Sequence, residues 1–221
     1  MKIGIISDTH NLLRPEIADI LHDCDCILHG GDISCQSILD QLKQIAPVRA
    51  VRGNNDKDWA EYLPEHLDFE LAGLRFYITH KKKDLPEDLL PYDIVIIGHS
   101  HQYANKWIDH SDGHRTLIVN PGSCGPRRFY QAITMAVLTV NEDGWIVKRI
   151  EIPHKDVMPK ADSGNIRKAI ENVVGETEKG KTVDAIAQKY KLDKALVEQI
   201  VRLYVTHPGV TVDGIMTKMG L

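Results

Sequence analysis

Three times in its first 56 residues the chain repeats one unit: an apolar run of strand length, then a polar turn. The runs are residues 2–7, 25–28 and 48–51, and the turns are Ser7-Asp8-Thr9-His10, Gly30-Gly31-Asp32 and Gly53-Asn54-Asn55-Asp56. Helical patterns over 15–22 and 36–45 connect them, with Pro15 suited to the first turn of one and Pro47 ending the other. Strands joined through helices run parallel, so successive turns collect along one edge of a sheet. Polar residues gathered at those turns predict that function lies at the carboxyl ends of the strands.

The pattern then changes. Residues 67–71 and 74–79 read as a hairpin around Ala72-Gly73 that ends at His80, and 86–90 as a short helix. The apolar run 93–97 leads into Gly98-His99-Ser100-His101, and two further hairpins occupy 103–119 and 132–152. Many strands with few helices predict two packed sheets with helices outside them. Pro153 and Pro159 bracket a linker, beyond which apolar residues recur at helical spacing in four stretches, with Gly175 placed to cap the first. The expected organisation is a domain over 1–158 and a helical module over 160–221.

Composition excludes several classes. The net charge of −4 gives no global case for binding nucleic acid or an anionic membrane. Four cysteines form no Cys-x-x-Cys pair, which argues against a zinc ribbon and for free thiols in a reducing compartment. The N-terminal apolar run is too short for a signal peptide and no run approaches the ~20 residues of a membrane span, so a cytoplasmic location is expected.

Each strand end carries a group that can ligate a metal: Asp8 and His10, Asp32, Asn54, His80, and His99 with His101. Two imidazoles one residue apart are badly placed to share one ion and well placed to hold one each. Oxygen and imidazole donors without thiolate suit Mn, Fe, Zn, Ni or Co, among which residue type does not choose.

Asp8-Thr9-His10, Gly31-Asp32, Gly53-Asn54, Thr79-His80 and Gly98-His99-Ser100-His101, five signatures in order, resemble those of the calcineurin-like metallophosphoesterases. Val119-Asn120-Pro121-Gly122-Ser123, with Pro126-Arg127 after it, resembles the small single-domain phosphodiesterase branch of bacteria and archaea. The resemblance covers residues 1–152 and implies a four-layer α/β/β/α sandwich. It also implies two divalent metal ions, with Mn the first choice. Carried over by match, one site uses Asp8, His10, Asp32 and His101, and the other Asp32, Asn54, His80 and His99. Asp32 bridges, and a shared carboxylate offsets part of the repulsion between the cations. A water between two such ions loses a proton near neutral pH and serves as nucleophile on a phosphate ester. Asn54 and Arg127 are the expected substrate contacts.

Two positions depart from the family pattern. Phosphatases of the family carry a histidine after the motif asparagine; here Asn55 stands there, which cannot protonate a leaving group and so favours diesters. His80 is followed by Lys81-Lys82-Lys83 in place of glycine, either a solvated loop or a basic lip for phosphate. Asp56 is expected to orient a ligand histidine or cap a helix, and His29 to support the site from behind. Cys124 reads as a passive small residue.

Residues 182–201 have helix-turn-helix spacing, but ten Lys and Arg against eight Asp and Glu from Lys160 onward make a poor DNA-binding face. Oligomerisation or internal packing suits these helices better, giving a homo-oligomer as the expected assembly. Two rivals to the enzyme remain: a non-catalytic scaffold, as one retromer subunit is with this fold, and a nuclease tethered to nucleic acid by the tail.

Overall fold

The computed structural model of the chain describes residues 1–126, 131–153 and 163–219. They divide into two compact units, the second beginning after residue 153. The boundary expected near 158–160 lies outside the described residues, as do Arg127 and Arg128.

The first unit contains, in order, β1 (Lys2–Ile6), α1 (Pro15–His22), β2 (Cys26–His29), α2 (Gln36–Ile45), β3 (Val48–Ala50), β4 (His66–Leu71) and β5 (Leu74–Thr79). There follow β6 (Ile94–Ile96), β7 (Tyr103–Asp109), β8 (Arg115–Pro121), β9 (Ile133–Asn141) and β10 (Gly144–Ile152). One sheet has the order β10-β9-β1-β2-β3 and the other β4-β5-β6-β8-β7. In the first, β1, β2 and β3 are parallel; in the second, β5, β6 and β8 are. The hairpin partners β9 and β10, β4 and β7 flank them antiparallel.

Alternation along the strands separates the cores. Ile3 and Ile5 of β1 and Leu28 of β2 face between the sheets, against Phe76 and Ile78 of β5, Ile94 and Ile96 of β6 and Val119 of β8. Ile6 and Ile27 face the other way, onto Ile17 and Leu21 of α1 and Leu39 and Leu42 of α2. Gly4 lets α1 lie close, since a Cβ there would collide with the Leu21 side chain. Burying a side chain such as Phe76 contributes roughly 2–3 kcal/mol, and a one-residue slip of β1 would turn its isoleucines to the wrong faces.

Two local expectations are corrected. Residues 86–90 form no helix: Asp88 accepts a hydrogen bond from the Leu90 N–H (2.9 Å), a local side-chain turn that competes with helix. Leu85, Leu89 and Tyr92 instead pack on Tyr77, Val95 and Ile97. Gly175 does not end its helix, which continues to Glu178.

The second unit is helical: α3 (Ser163–Glu178), α4 (Val183–Tyr190), α5 (Lys194–Thr206) and α6 (Val212–Met219). Its own core joins Ile166, Ile170, Val173, Ile186, Val197, Ile200, Ile215 and Met219. Thr182 and Asp193 cap α4 and α5 through their side-chain oxygens. Lys191 takes the left-handed conformation (φ 51°) that the turn between them requires, in the place where glycine is usual.

Candidate metal centre

The parallel strands end at one edge, where their loops are laced together. The amides of Asp8, His10 and Asn11 donate to the carbonyls of Gly31, Asp32 and Ile33, each at 3.0 Å. Gly98 donates to the His80 carbonyl, and the Ser123 hydroxyl to the Asp8 carbonyl. Such close lacing requires glycine: a Cβ on Gly53 would strike the backbone and carboxylate of Asp32, and one on Gly98 would strike Ser7 and Asp8.

Backbone strain concentrates here. Asp8, His10, Asp32, His99 and His101 all have φ between 42° and 70°, and Asn11 and Ser34 nearby have φ of 64° and 77°. Non-glycine residues adopt this region rarely and at a cost, and a run of them at converging loops marks a functional site.

Among the described residues, two groups of side chains close enough to hold an ion result. One is Asp8, His10 and His101; the other is Asp8, Asp32 and His80. Within the first, His101 Nε2 stands 3.1 Å and His10 Nε2 3.7 Å from Asp8 Oδ1. Asp8 belongs to both groups. Asp32 Oδ2 nonetheless lies between the imidazoles, 3.8 Å from His10 Nε2 and 3.4 Å from His80 Nε2. The His99 ring meets the His80 ring edge-on at 5.2 Å, outside both groups, while its amide donates to Asp8 Oδ2. Asn54 is exposed and lines the cleft.

The donors suit a cation. Asp8 Oδ1 and His80 Nε2 are buried without a hydrogen-bond partner among the described residues, which costs free energy unless something else meets them. The His80 Nδ1–H donates to the Gly30 carbonyl (2.8 Å), which leaves the Nε2 lone pair aimed at Asp32. Burial opposes charge on Asp8, but His10, His101 and the Ser7 hydroxyl (2.6 Å) outweigh it and hold the carboxyl well below its usual range. Burial likewise opposes charge on Asp32, yet His80 and the Asn55 amide bring it down to about 2. His80 is itself less solvated but raised by the same Asp32. His99 is lowered by burial and by the nearby His80. Two ionised carboxylates among imidazoles can take up divalent cations with oxygen and nitrogen ligands.

The supporting residues differ in part from expectation. Asp56 meets no ligand histidine. Its buried carboxylate accepts from the backbone amides of Asp32 (3.0 Å), Ser34 (2.6 Å) and Gly53 (2.8 Å), fastening the second turn to the third. Asn55 donates through its side chain to Asp32 Oδ2 (2.6 Å) and through its backbone to Oδ1 (2.7 Å). His29 is fully buried: Nδ1 accepts from the Gly31 amide and Nε2 donates to Thr9 Oγ1, both at 3.1 Å, tying the first turn to the second. Cys124 is fully buried, its thiol pushed up to about 12 by burial, and stays neutral. Ser7 and Asn120 were not anticipated. Asn120 donates to the Gly98 carbonyl and to Ser100 and holds the histidine loop from behind. Its place at the end of an apolar strand and its membership of the Asn120-Pro121-Gly122-Ser123 motif were the signals available. Arg127, the expected phosphate contact, falls outside the described residues.

Comparison with known proteins bears on the family and the fold. Residues 1–143 match the family model described as the calcineurin-like phosphoesterase superfamily domain. A protein of Methanothermobacter thermautotrophicus named a probable metallophosphoesterase is 33% identical over 137 residues, covering 56% of this chain and 77% of its own. Phosphodiesterase MJ0936 of Methanocaldococcus jannaschii is 31% identical over 146 residues, covering 56% and 84%. Among solved structures, the Escherichia coli phosphoesterase Yfce superposes with a TM-score of 0.52 at 20% identity, covering 69% of this chain and all of its own. Vps29 of Chaetomium thermophilum does so at 0.52 and 19%, covering 69% and 97%. At those identities the two structures speak to the fold alone. With the family model spanning most of the first unit, the chain belongs to the calcineurin-like phosphoesterase superfamily.

Proposed function

We propose that this chain is a dinuclear metal-dependent phosphodiesterase. The observation that carries the reading is the convergence of Asp8 Oδ1 and His80 Nε2, buried and without a hydrogen bond among the described residues, with His10, His101 and Asp32 at one edge of the sheets. Asp8, His10 and His101 would hold one divalent ion, His80, His99 and Asn54 the other, and Asp32, lying between the imidazoles, would serve both. Mn is the first choice, with Fe, Zn, Ni and Co as alternatives. When bound, such a pair supplies an activated water and Lewis acidity toward the phosphoryl oxygens.

The protein's own groups define the rest. Ser7 and the His99 amide hold Asp8 Oδ2, so that Oδ1 alone faces the imidazoles. Exposed on the cleft, Asn54 can donate its side-chain amide to a phosphoryl oxygen. Asn55 has no proton to give a leaving group, and its amide is engaged on Asp32. Esters with stable leaving groups or two organic arms therefore suit the site better than alkyl monoesters. We assign this chemistry to residues 1–158 and regard 160–221, whose helices own a separate core, as a distinct module.

The test is hydrolysis of bis(p-nitrophenyl) phosphate by Mn-supplemented protein, comparing wild type with His99→Ala. A rate that falls roughly a hundredfold supports the reading. Equal, negligible rates with each of the five metals would sink it and favour a scaffold.

A further inference from the structure

We propose that the groove beside His99 is a subsite for a second phosphate, so that the phosphodiester cleaved here carries a further phosphate group on one arm. The proposal rests on the phosphodiesterase reading and names its substrate class. The cleft has two lobes that share Asn54 and Lys81. The larger, about 610 Å³, also has Arg52, His66, Glu65 and Asp84 on its walls, so its cations face carboxylates. The smaller, about 390 Å³, is lined, among the described residues, by Asn54, His99, Lys81, Lys82 and Lys83 and by no carboxylate.

The asymmetry is local. The whole chain has a net charge of −4, so three consecutive lysines beside the donors are not a sample of general basicity. They follow His80 directly: Lys81 is extended, and Lys82 and Lys83 sit on the short 3-10 turn Lys82–Asp84, which fixes where they emerge. Asp84, on the same turn, lines the other lobe. Among the described residues none of the three ammonium groups makes an ion pair or hydrogen bond. Adjacent like charges repel one another, and an anion between them relieves that repulsion. Lysines on flexible stems suit a phosphate as point charges, without the fixed fork of arginine. The volume lies within the ~300–1,000 Å³ of small-ligand sites and leaves room for a phosphate together with its linking group. A diester centred at Asn54 reaches into both lobes, and only one favours negative charge without reservation.

The experiment is calorimetric titration of the Mn-supplemented full chain with thymidine 3′,5′-bisphosphate and with thymidine 5′-monophosphate. The same titrations are made on the Lys81→Ala/Lys82→Ala/Lys83→Ala variant and on the corresponding triple arginine variant. The bisphosphate is expected to bind wild type roughly tenfold or more tighter than the monophosphate. That ratio should approach one in the alanine variant, persist with arginine, and shrink as salt is raised. A ratio near one in wild type, or one that survives in the alanine variant, overturns the subsite and leaves the lysines a solvated loop. Repeating the pair with 1,3-propanediol bisphosphate and its monophosphate separates a nucleotide arm from any bisphosphorylated alcohol. A preference in both pairs supports the shared chemistry, and one confined to thymidine supports it and names a nucleotide. If the preference holds while neither bis(p-nitrophenyl) phosphate nor the p-nitrophenyl diester of thymidine 3′,5′-bisphosphate is cleaved, the subsite stands and the phosphodiesterase reading falls.

Discussion

The two sides of the candidate centre are built differently. On the deep side, Asp8, Asp32, His80 and His101 are buried, held in left-handed or tightly laced backbone, and fixed by Ser7, His29 and Asp56. On the open side, Asn54, Asn55 and His99 are exposed, and beyond them lie lysines with no partner among the described residues. The deep side has no freedom left to adapt, which is what fixed ligand geometry demands. The open side retains solvent and charge, as a surface that meets substrate must. If the proposed function holds, mutations on the two sides should separate chemistry from selectivity.

The sharpest way to break the contrast is on the deep side. Asp8→Asn removes a charge from both ion-binding groups and should lower diesterase activity by roughly a thousandfold or more, with loss of metal uptake by elemental analysis. A variant that keeps its metal and most of its rate would show that the deep side is only structural.

The next effect is on stability. Burial pushes the pKa of His29 down to about 4, against about 6.5 in an unfolded chain. The folded protein therefore holds His29 neutral while the unfolded chain takes up a proton. Its contribution is complete above pH 6.5 and is lost as pH falls toward 4, by up to about 3 kcal/mol. Denaturant melts of metal-free protein should show that loss in wild type and not in His29→Asn, which keeps an acceptor for the Gly31 amide. Parallel pH profiles for the two proteins would exclude His29 as the buried neutral tie between the turns.

The smallest effect is on the open side. Asn55→His restores a group able to protonate a departing alkoxide and should raise monoester hydrolysis roughly tenfold, with little change on p-nitrophenyl diesters. A fall on both substrates would mean that the Asn55 contact with Asp32 matters more than any proton.

How much of this was legible in the sequence follows the same division. The strand ends were readable because apolar runs of strand length stop at polar, glycine-containing turns, and the α/β architecture with its C-terminal helices follows from that periodicity. Asp8, His10, Asp32, His80 and His101, which the structure brings together, could be named as candidate ligands from residue type and position alone. The contacts that the deep supports make could not. His29 was expected to support the site, but its bonds to Thr9 Oγ1 and the Gly31 amide, like those of Asp56 to the amides of Asp32, Ser34 and Gly53, are contacts that no spacing encodes, and Asp56 was expected to meet a histidine for that reason. The left-handed conformations at aspartate and histidine were equally hidden, since these residues visit that region more than most but still rarely, and glycine far more readily. The helix expected over 86–90 fails because a local hydrogen bond from Leu90 to Asp88, with Leu85 and Leu89 packed on Tyr77 and Val95, outcompetes a weak helical pattern.

The measurement that bears most directly on the whole account is anomalous diffraction at the Mn edge from crystals grown with Mn. The account predicts two peaks per chain, roughly 3.5–4 Å apart, one against Asp8, His10 and His101, the other against His80 and His99, with Asp32 touching both. A single peak, or two that share Asp8 and leave Asp32 unbound, would contradict it.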